Sequence, residues 1–183
     1  MIRGSPRLDA PARAAPIAQV SDDLDRTLLD RAIELALANE ARGGLPVGAV
    51  IGLDGRIIAE GASEVPGPPY HPGRHAEMQA LARVPIELWP RAKQMTVVTT
   101  LEPCLMCFGA CLLHGIGRIV FGAIDLRGGA RFIRPHLPPY YASTGGPAWI
   151  GPLDPSRCDP LYHRTDRAFA ALPCGIPGHD HEA

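Results

Sequence analysis

Hydrophobic positions along this chain change period several times, and each change predicts an element. Over residues 21–41 the apolar positions Leu24, Leu28, Ile33, Leu35 and Ala36 recur close to helical spacing, with Ser21 or Asp22 as a cap and Gly43-Gly44 as a stop. Residues 47–53 and 56–61 are apolar runs on either side of Asp54-Gly55, a strong hairpin signal. Residues 65–73 hold four prolines and read as a loop. A short helix is predicted over 75–82, ending before Pro85, and the β-branched run 95–100 predicts a buried strand. Pro103 suits the first turn of a helix that runs to His114 and is stopped by Gly115. Residues 118–123 predict another strand.

Beyond Asp125 the periodicity fades. Seven prolines between positions 135 and 160 argue against long regular elements there. Residues 160–171 then predict a last helix with Leu161, Phe169 and Leu172 facing inward. A hairpin followed by strands alternating with helices implies an α/β fold, a mixed sheet covered by helices on both faces. The expected organisation is a disordered leader over 1–20, one domain over 21–172 and a loose tail over 173–183. The proline-rich segment 134–160 belongs to the domain.

Composition narrows the function classes. The chain has 183 residues, 46% of them hydrophobic, enough for one core. A formal net charge of −1 argues against a broad, non-specific nucleic-acid binder. Lys93 is the only lysine, so anion contacts would come from arginine forks. Five cysteines, an odd number with one Cys-x-x-Cys pair, do not form a secreted disulfide framework. No apolar run reaches the length of a membrane span, and residues 1–20 lack a signal-peptide core, so a reducing cytoplasm is expected.

The chemistry concentrates in His75-Ala76-Glu77 and, about thirty residues on, Pro103-Cys104-Leu105-Met106-Cys107. His75, Cys104 and Cys107 are three good zinc donors, and Glu77 is a carboxylate that zinc need not take. A catalytic zinc site keeps three protein ligands and leaves a position for water, whereas a structural one is closed by four. Cys104 and Cys107 share one helical face near the positive end of the dipole, which favours thiolates. Cys111 shares a face with Cys107 but lies roughly two turns below Cys104 at ~1.5 Å per residue, so it reads as a buried thiol.

This pattern resembles the zinc-dependent nucleobase deaminases, whose signature is His-x-Glu followed by Pro-Cys-x-x-Cys. Within them, Leu45-Pro46-Val47-Gly48-Ala49-Val50, Thr100-Leu101-Glu102-Pro103-Cys104 and residues 116–123 look like bacterial tRNA adenosine deaminases. The resemblance spans roughly residues 45–123. It implies a three-layer α/β/α fold on a five-stranded mixed sheet, one zinc per chain and a homodimer. Glu77 would be the proton-transferring residue, and Pro46, Val47, Ser63, Arg74 and Ala76 the candidate substrate contacts.

The chain departs from that branch in three places. Ser63 stands where an asparagine contacting the base is usual, and Arg74 where a small residue precedes the histidine. A proline-rich segment replaces the basic C-terminal helix end. These departures point to a small heterocyclic substrate, a base, a nucleoside or a related ring, with segment 134–160 and its Tyr140, Tyr141 and Trp149 expected to narrow the pocket mouth. The alternatives are adenosine deamination in a tRNA anticodon loop and a catalytically silent zinc module. His71 and His114 read as loop or surface histidines, and Arg127, Arg131 and Arg134 as solvated surface.

Overall fold

Two glycines at the open end of the hairpin set how closely the helices can approach the sheet. The computed structural model describes residues 22–171. The expected leader, the Ser21 cap, Leu172 and the tail with His179 and His181 lie outside the described residues. Helix α1, Asp22–Glu40, crosses strand β1, Gly48–Leu53, so closely that a Cβ on Gly48 would stand 2.1 Å from the Ala32 carbonyl oxygen. Strand β2, Arg56–Ala62, receives helix α2, Ala76–Ala82, in the same way: a Cβ on Gly61 would stand 2.2 Å from the Ala76 carbonyl oxygen. Asp54 and Gly55 both have positive φ, 51° and 75°, the conformation a two-residue primed turn requires.

Strand β3 is Thr96–Leu101, helix α3 is Leu105–His114 and strand β4 is Arg118–Ala123. Beyond them come helix α4, Pro139–Ser143, strand β5, Ala148–Ile150, and helix α5, Pro155–Ala170. The five strands lie in the order β2-β1-β3-β4-β5. β1 is antiparallel to β2 and β3, and β4 is parallel to both β3 and β5. The sheet is therefore mixed, as expected.

Alternation along the central strands divides the core in two. Val50, Val98 and Val120 lie side by side under Leu28, Leu29, Ala32 and Ile33 of α1 and Cys158 and Leu161 of α5. Ile51, Val97 and Ile119 point the other way, onto Ala80 and Leu81 of α2 and Phe108 and Cys111 of α3. This makes a three-layer α/β/α fold. A buried bidentate pair, Arg118 to Asp25 at 2.7 and 3.1 Å, ties α1 to the start of β4.

The proline-rich segment departs from expectation. One 3-10 turn, Ala130–Phe132, precedes it, and the segment itself holds a second, Arg134–His136, then α4, β5 and the first turn of α5. α5 begins five residues earlier than the pattern predicted, because Pro155 needs no N–H partner in a first turn and the Asp154 side chain accepts the Arg157 N–H at 3.2 Å. Pro160 lies inside the helix on its exposed side, and Ser156, whose carbonyl a proline at that position cannot bond, is exposed too. A 3-10 helix over Ile86–Gln94, containing Pro90, was also absent from the sequence pattern.

Candidate active site

Both segments that carry the zinc donors reach the site through a cap. His75 is the extended residue just before α2, with φ −68° and ψ 157°, and Cys104 holds the same position before α3, with φ −72° and ψ 174°. Pro103 therefore stands outside α3, one residue before the cap, and not in its first turn. Two contacts keep Cys104 extended: it pairs as an isolated β-bridge with Gly129, and the Ala130 N–H donates to the Pro103 carbonyl at 2.9 Å. Cys107 sits in the first turn of α3, and Glu77 in the first turn of α2.

The donor atoms converge. His75 Nδ1 lies 3.6 Å from Cys104 Sγ, and the two sulfurs are 3.7 Å apart. A tetrahedral zinc with bonds of about 2.3 Å to sulfur and 2.05 Å to nitrogen separates its ligands by about 3.8 Å for S···S and 3.6 Å for N···S. The three side chains fit that ion. Among the described residues they form the one group of three or more metal-binding side chains close enough to share an ion, with donor atoms within 4.8 Å of one another. Cys111 is not part of it, and burial pushes its thiol well up, which keeps it protonated.

Glu77 stands beside this group without joining it. Its Oε1 accepts from the Thr99 hydroxyl at 3.1 Å, and its Oε2 lies 3.4 Å from Cys107 Sγ. Burial raises its pKa above the usual carboxylate range, although His75 opposes the shift. Burial pulls His75 down, but the Cys104 sulfur and the Glu77 carboxylate outweigh it and leave the imidazole raised. The neighbouring Cys107 thiol brings Cys104 down to about 4, against burial and with help from His75. The same pairing holds Cys107 well above an ordinary thiol.

A pocket of about 510 Å³ opens over these residues. Val47, Ser63 and Ala76 line it, together with Leu45 and Leu101. Pro46 and Arg74, expected to face substrate, are not among its walls; the Arg74 backbone instead closes the 65–73 loop through hydrogen bonds with Glu64 and His71. No residue of segment 134–160 lines it either. Trp149 packs against Phe108 and Phe121, each at 5.3 Å between ring centroids, and Tyr140 is exposed against Tyr141. The wall expected from that segment is made by the C-terminal half of α5, with Tyr162, Thr165, Asp166, Phe169 and Ala170. Phe169 thus faces the pocket and not the core. His71 caps its own loop by accepting the Gly73 N–H at 3.0 Å, and His114 stacks on Trp89.

Sequence reasoning also missed two polar residues that shape the site. Asn39 donates to the carbonyls of Leu45 and Ser63 at 2.8 and 2.7 Å, joining two segments of the pocket wall. Glu102 is 2% exposed and accepts the N–H groups of Asp125 and Arg131 at 3.1 and 3.0 Å, with the Arg131 guanidinium against it. It pins the loop after β4 to the strand that delivers Cys104. A charged residue between Leu101 and Pro103 was its only sequence signal. Replacing Glu102 with glutamine turns one acceptor toward donors, so a loss of about 1–3 kcal/mol is expected in denaturant unfolding of the zinc-loaded protein.

Fold and site together define a three-layer α/β enzyme scaffold with a three-donor metal site and a separate buried carboxylate. The family model for the cytidine and deoxycytidylate deaminase zinc-binding region matches residues 22–123, and the chain belongs to that family. The tRNA-specific adenosine deaminase of Haemophilus influenzae is 42% identical over 124 residues, 66% of this chain and 70% of that protein. The cytosine deaminase of Candida albicans is 35% identical over 102 residues, 54% of this chain and 65% of that one. Among solved structures, guanine deaminase from Nitrosomonas europaea superposes with a TM-score of 0.59 at 25% identity, covering 85% of this chain and 87% of its own. The chemistry shared by these relatives is hydrolytic removal of an amine.

Proposed function

We propose that this chain replaces an exocyclic amine by a carbonyl on a small nucleobase, nucleoside or related heterocycle, releasing ammonia. The observation that carries this reading is the pocket over His75, Cys104 and Glu77. Leu45 and Val47 just ahead of β1, Ala76 of α2 and Leu101 of β3 form one wall, and the side chains of α5 form the other. Its size suits a ring with or without a sugar.

His75 Nδ1, Cys104 Sγ and Cys107 Sγ would hold the zinc. When bound, zinc supplies a water whose pKa falls from roughly 16 to about 7. Glu77 would take a proton from the attacking water and deliver it to the ring nitrogen beside the attacked carbon, then assist departure of the amine. Its raised pKa suits a group that must carry a proton as well as accept one. Thr99 fixes the far oxygen, so Oε2 is the one that turns toward the reacting atoms. Leu45, Val47 and Leu101 keep bulk water from the ring face.

Adenosine deamination in a tRNA loop is the second reading, favoured by the 42% identity to the Haemophilus influenzae enzyme. Ammonia release from a panel of free bases, nucleosides and an anticodon stem-loop separates the two. Activity on the stem-loop alone would overturn the small-ring reading. A silent zinc module is disfavoured by Glu77, which is buried beside the donors yet outside the ligand set.

We also read the protein as a cytoplasmic homodimer. Cys104, Cys107, Cys111 and Cys158 are all free thiols, and among the described residues no helix is long and apolar enough to cross a membrane. α3 is apolar all round, but the domain buries only one side of it. Leu105 and Leu113 remain 63% and 69% exposed, with Met106 between them in sequence also exposed. A second copy would cover this face. Light scattering at micromolar concentration is expected to give the dimer mass, and Leu113→Glu the monomer mass.

A further inference from the structure

Charge in the pocket wall sorts substrates in a way its volume does not. Four carboxylates line it, Glu77, Glu102, Asp125 and Asp166, of which Glu102 is offset by the Arg131 guanidinium behind the wall, against two lining groups able to carry positive charge, His75 and Arg127. No lysine and no second arginine among the described residues joins them. His75 belongs to the donor group beside Cys104. That leaves Arg127 as the cation a substrate anion could use.

Arg127 is already engaged. Its Nη1 stands 3.1 Å from Asp166 Oδ1, joining the loop after β4 to α5 across the pocket wall. The backbone around it is engaged too. Successive N–H groups of a loop can cradle a phosphate, and the N–H groups of Arg127 and Gly128 both point to one oxygen, at 2.9 Å each. That oxygen is Oδ1 of Asp125. Both elements of an anion site, a guanidinium and a pair of convergent N–H groups, are present and closed by the chain's own carboxylates.

Resting on the small-ring reading above, we infer that the pocket takes unphosphorylated substrates, a free base or nucleoside, and rejects the corresponding nucleotide. Asp125 and Asp166 are the residues that determine this specificity. A phosphate entering here meets an arginine that is already paired and two aspartates of its own sign. The rejection is electrostatic, so it weakens as salt screens the charges, which a purely steric barrier would not do.

The test uses the zinc-loaded full chain with cytosine, adenine and guanine, their nucleosides and their 5′-monophosphates. At low salt the monophosphate is expected to show kcat/KM at least roughly tenfold below its nucleoside, mainly through KM, the gap narrowing with added salt. Asp166→Asn frees Arg127 and should raise the ratio of nucleotide to nucleoside kcat/KM severalfold. Inorganic phosphate supplies a readout independent of turnover: saturable binding by calorimetry should be absent from the wild type and appear in Asp166→Asn. Equal or better use of the monophosphate by the wild type would overturn the inference, as would tight phosphate binding by the wild type or an unchanged ratio in Asp166→Asn. Failure of every ring to react would reject the small-ring reading, while the phosphate titration would still decide the charge argument.

Discussion

Glu77→Gln is expected to keep zinc and fold and to lose ammonia release by a factor of about 10²–10⁴, the usual worth of a positioned acid–base group. Glutamine keeps the shape of the side chain and can still accept from the Thr99 hydroxyl, which lies 3.1 Å from Oε1. It cannot carry a proton from water to the ring. Because Glu77 lies outside the donor group of His75, Cys104 and Cys107, the metal should be indifferent to the change. Metal analysis and an ammonia assay on the same preparation check both halves. Near-normal turnover would show that another base does the work, with Asp125 and Glu102 in the pocket wall the next residues to examine. Loss of zinc would make Glu77 a ligand and remove the catalytic reading.

A loss at least as large is expected from Cys107→Ala, for a different reason. Two remaining donors cannot hold zinc as three do. Affinity should fall by more than the 10–100-fold typical when an outer-shell partner of a ligand is removed. Activity should vanish with the metal. Cys111→Ala is the contrasting variant. Cys111 is fully buried one turn further along α3, and its raised pKa keeps it a neutral thiol. It should retain zinc through dialysis against a chelator while losing some stability to the cavity left behind. Retention of zinc by Cys107→Ala with its loss from Cys111→Ala would reverse the assignment.

The elements that position the donors were largely legible along the chain. The hairpin at Asp54-Gly55, the strand Arg118–Ala123 and the helices flanking them follow from turn chemistry and periodicity, which act over a few residues. The starts of α2 and α3 shifted by one or two residues because His75 and Cys104 are caps, and their extended backbones are set by distant partners such as Gly129. β5 was illegible for the same reason: three residues form a strand only because β4 lies beside them. Prolines in 134–160 suggested a pocket-side loop, yet Trp149 found its place against Phe108 and Phe121.

By itself the sequence pointed to the donor set and the spare carboxylate. Cys104 and Cys107 are three positions apart, a distance over which local helix geometry puts side chains side by side, and Glu77 follows His75 by two, at the start of the same helix. Only the tertiary structure decided what surrounds them. Leu45, Leu101, Asp125 and Phe169 meet in one pocket across more than half the chain, brought together by sheet order and by the packing of α5 on β4. The charge a substrate meets there depends on which carboxylates close on Arg127 and on the loop N–H groups. The Asp125 contacts span only two and three positions and are local, but no spacing along the chain encodes the pair of Arg127 with Asp166, which exists only once both segments have folded against the same sheet.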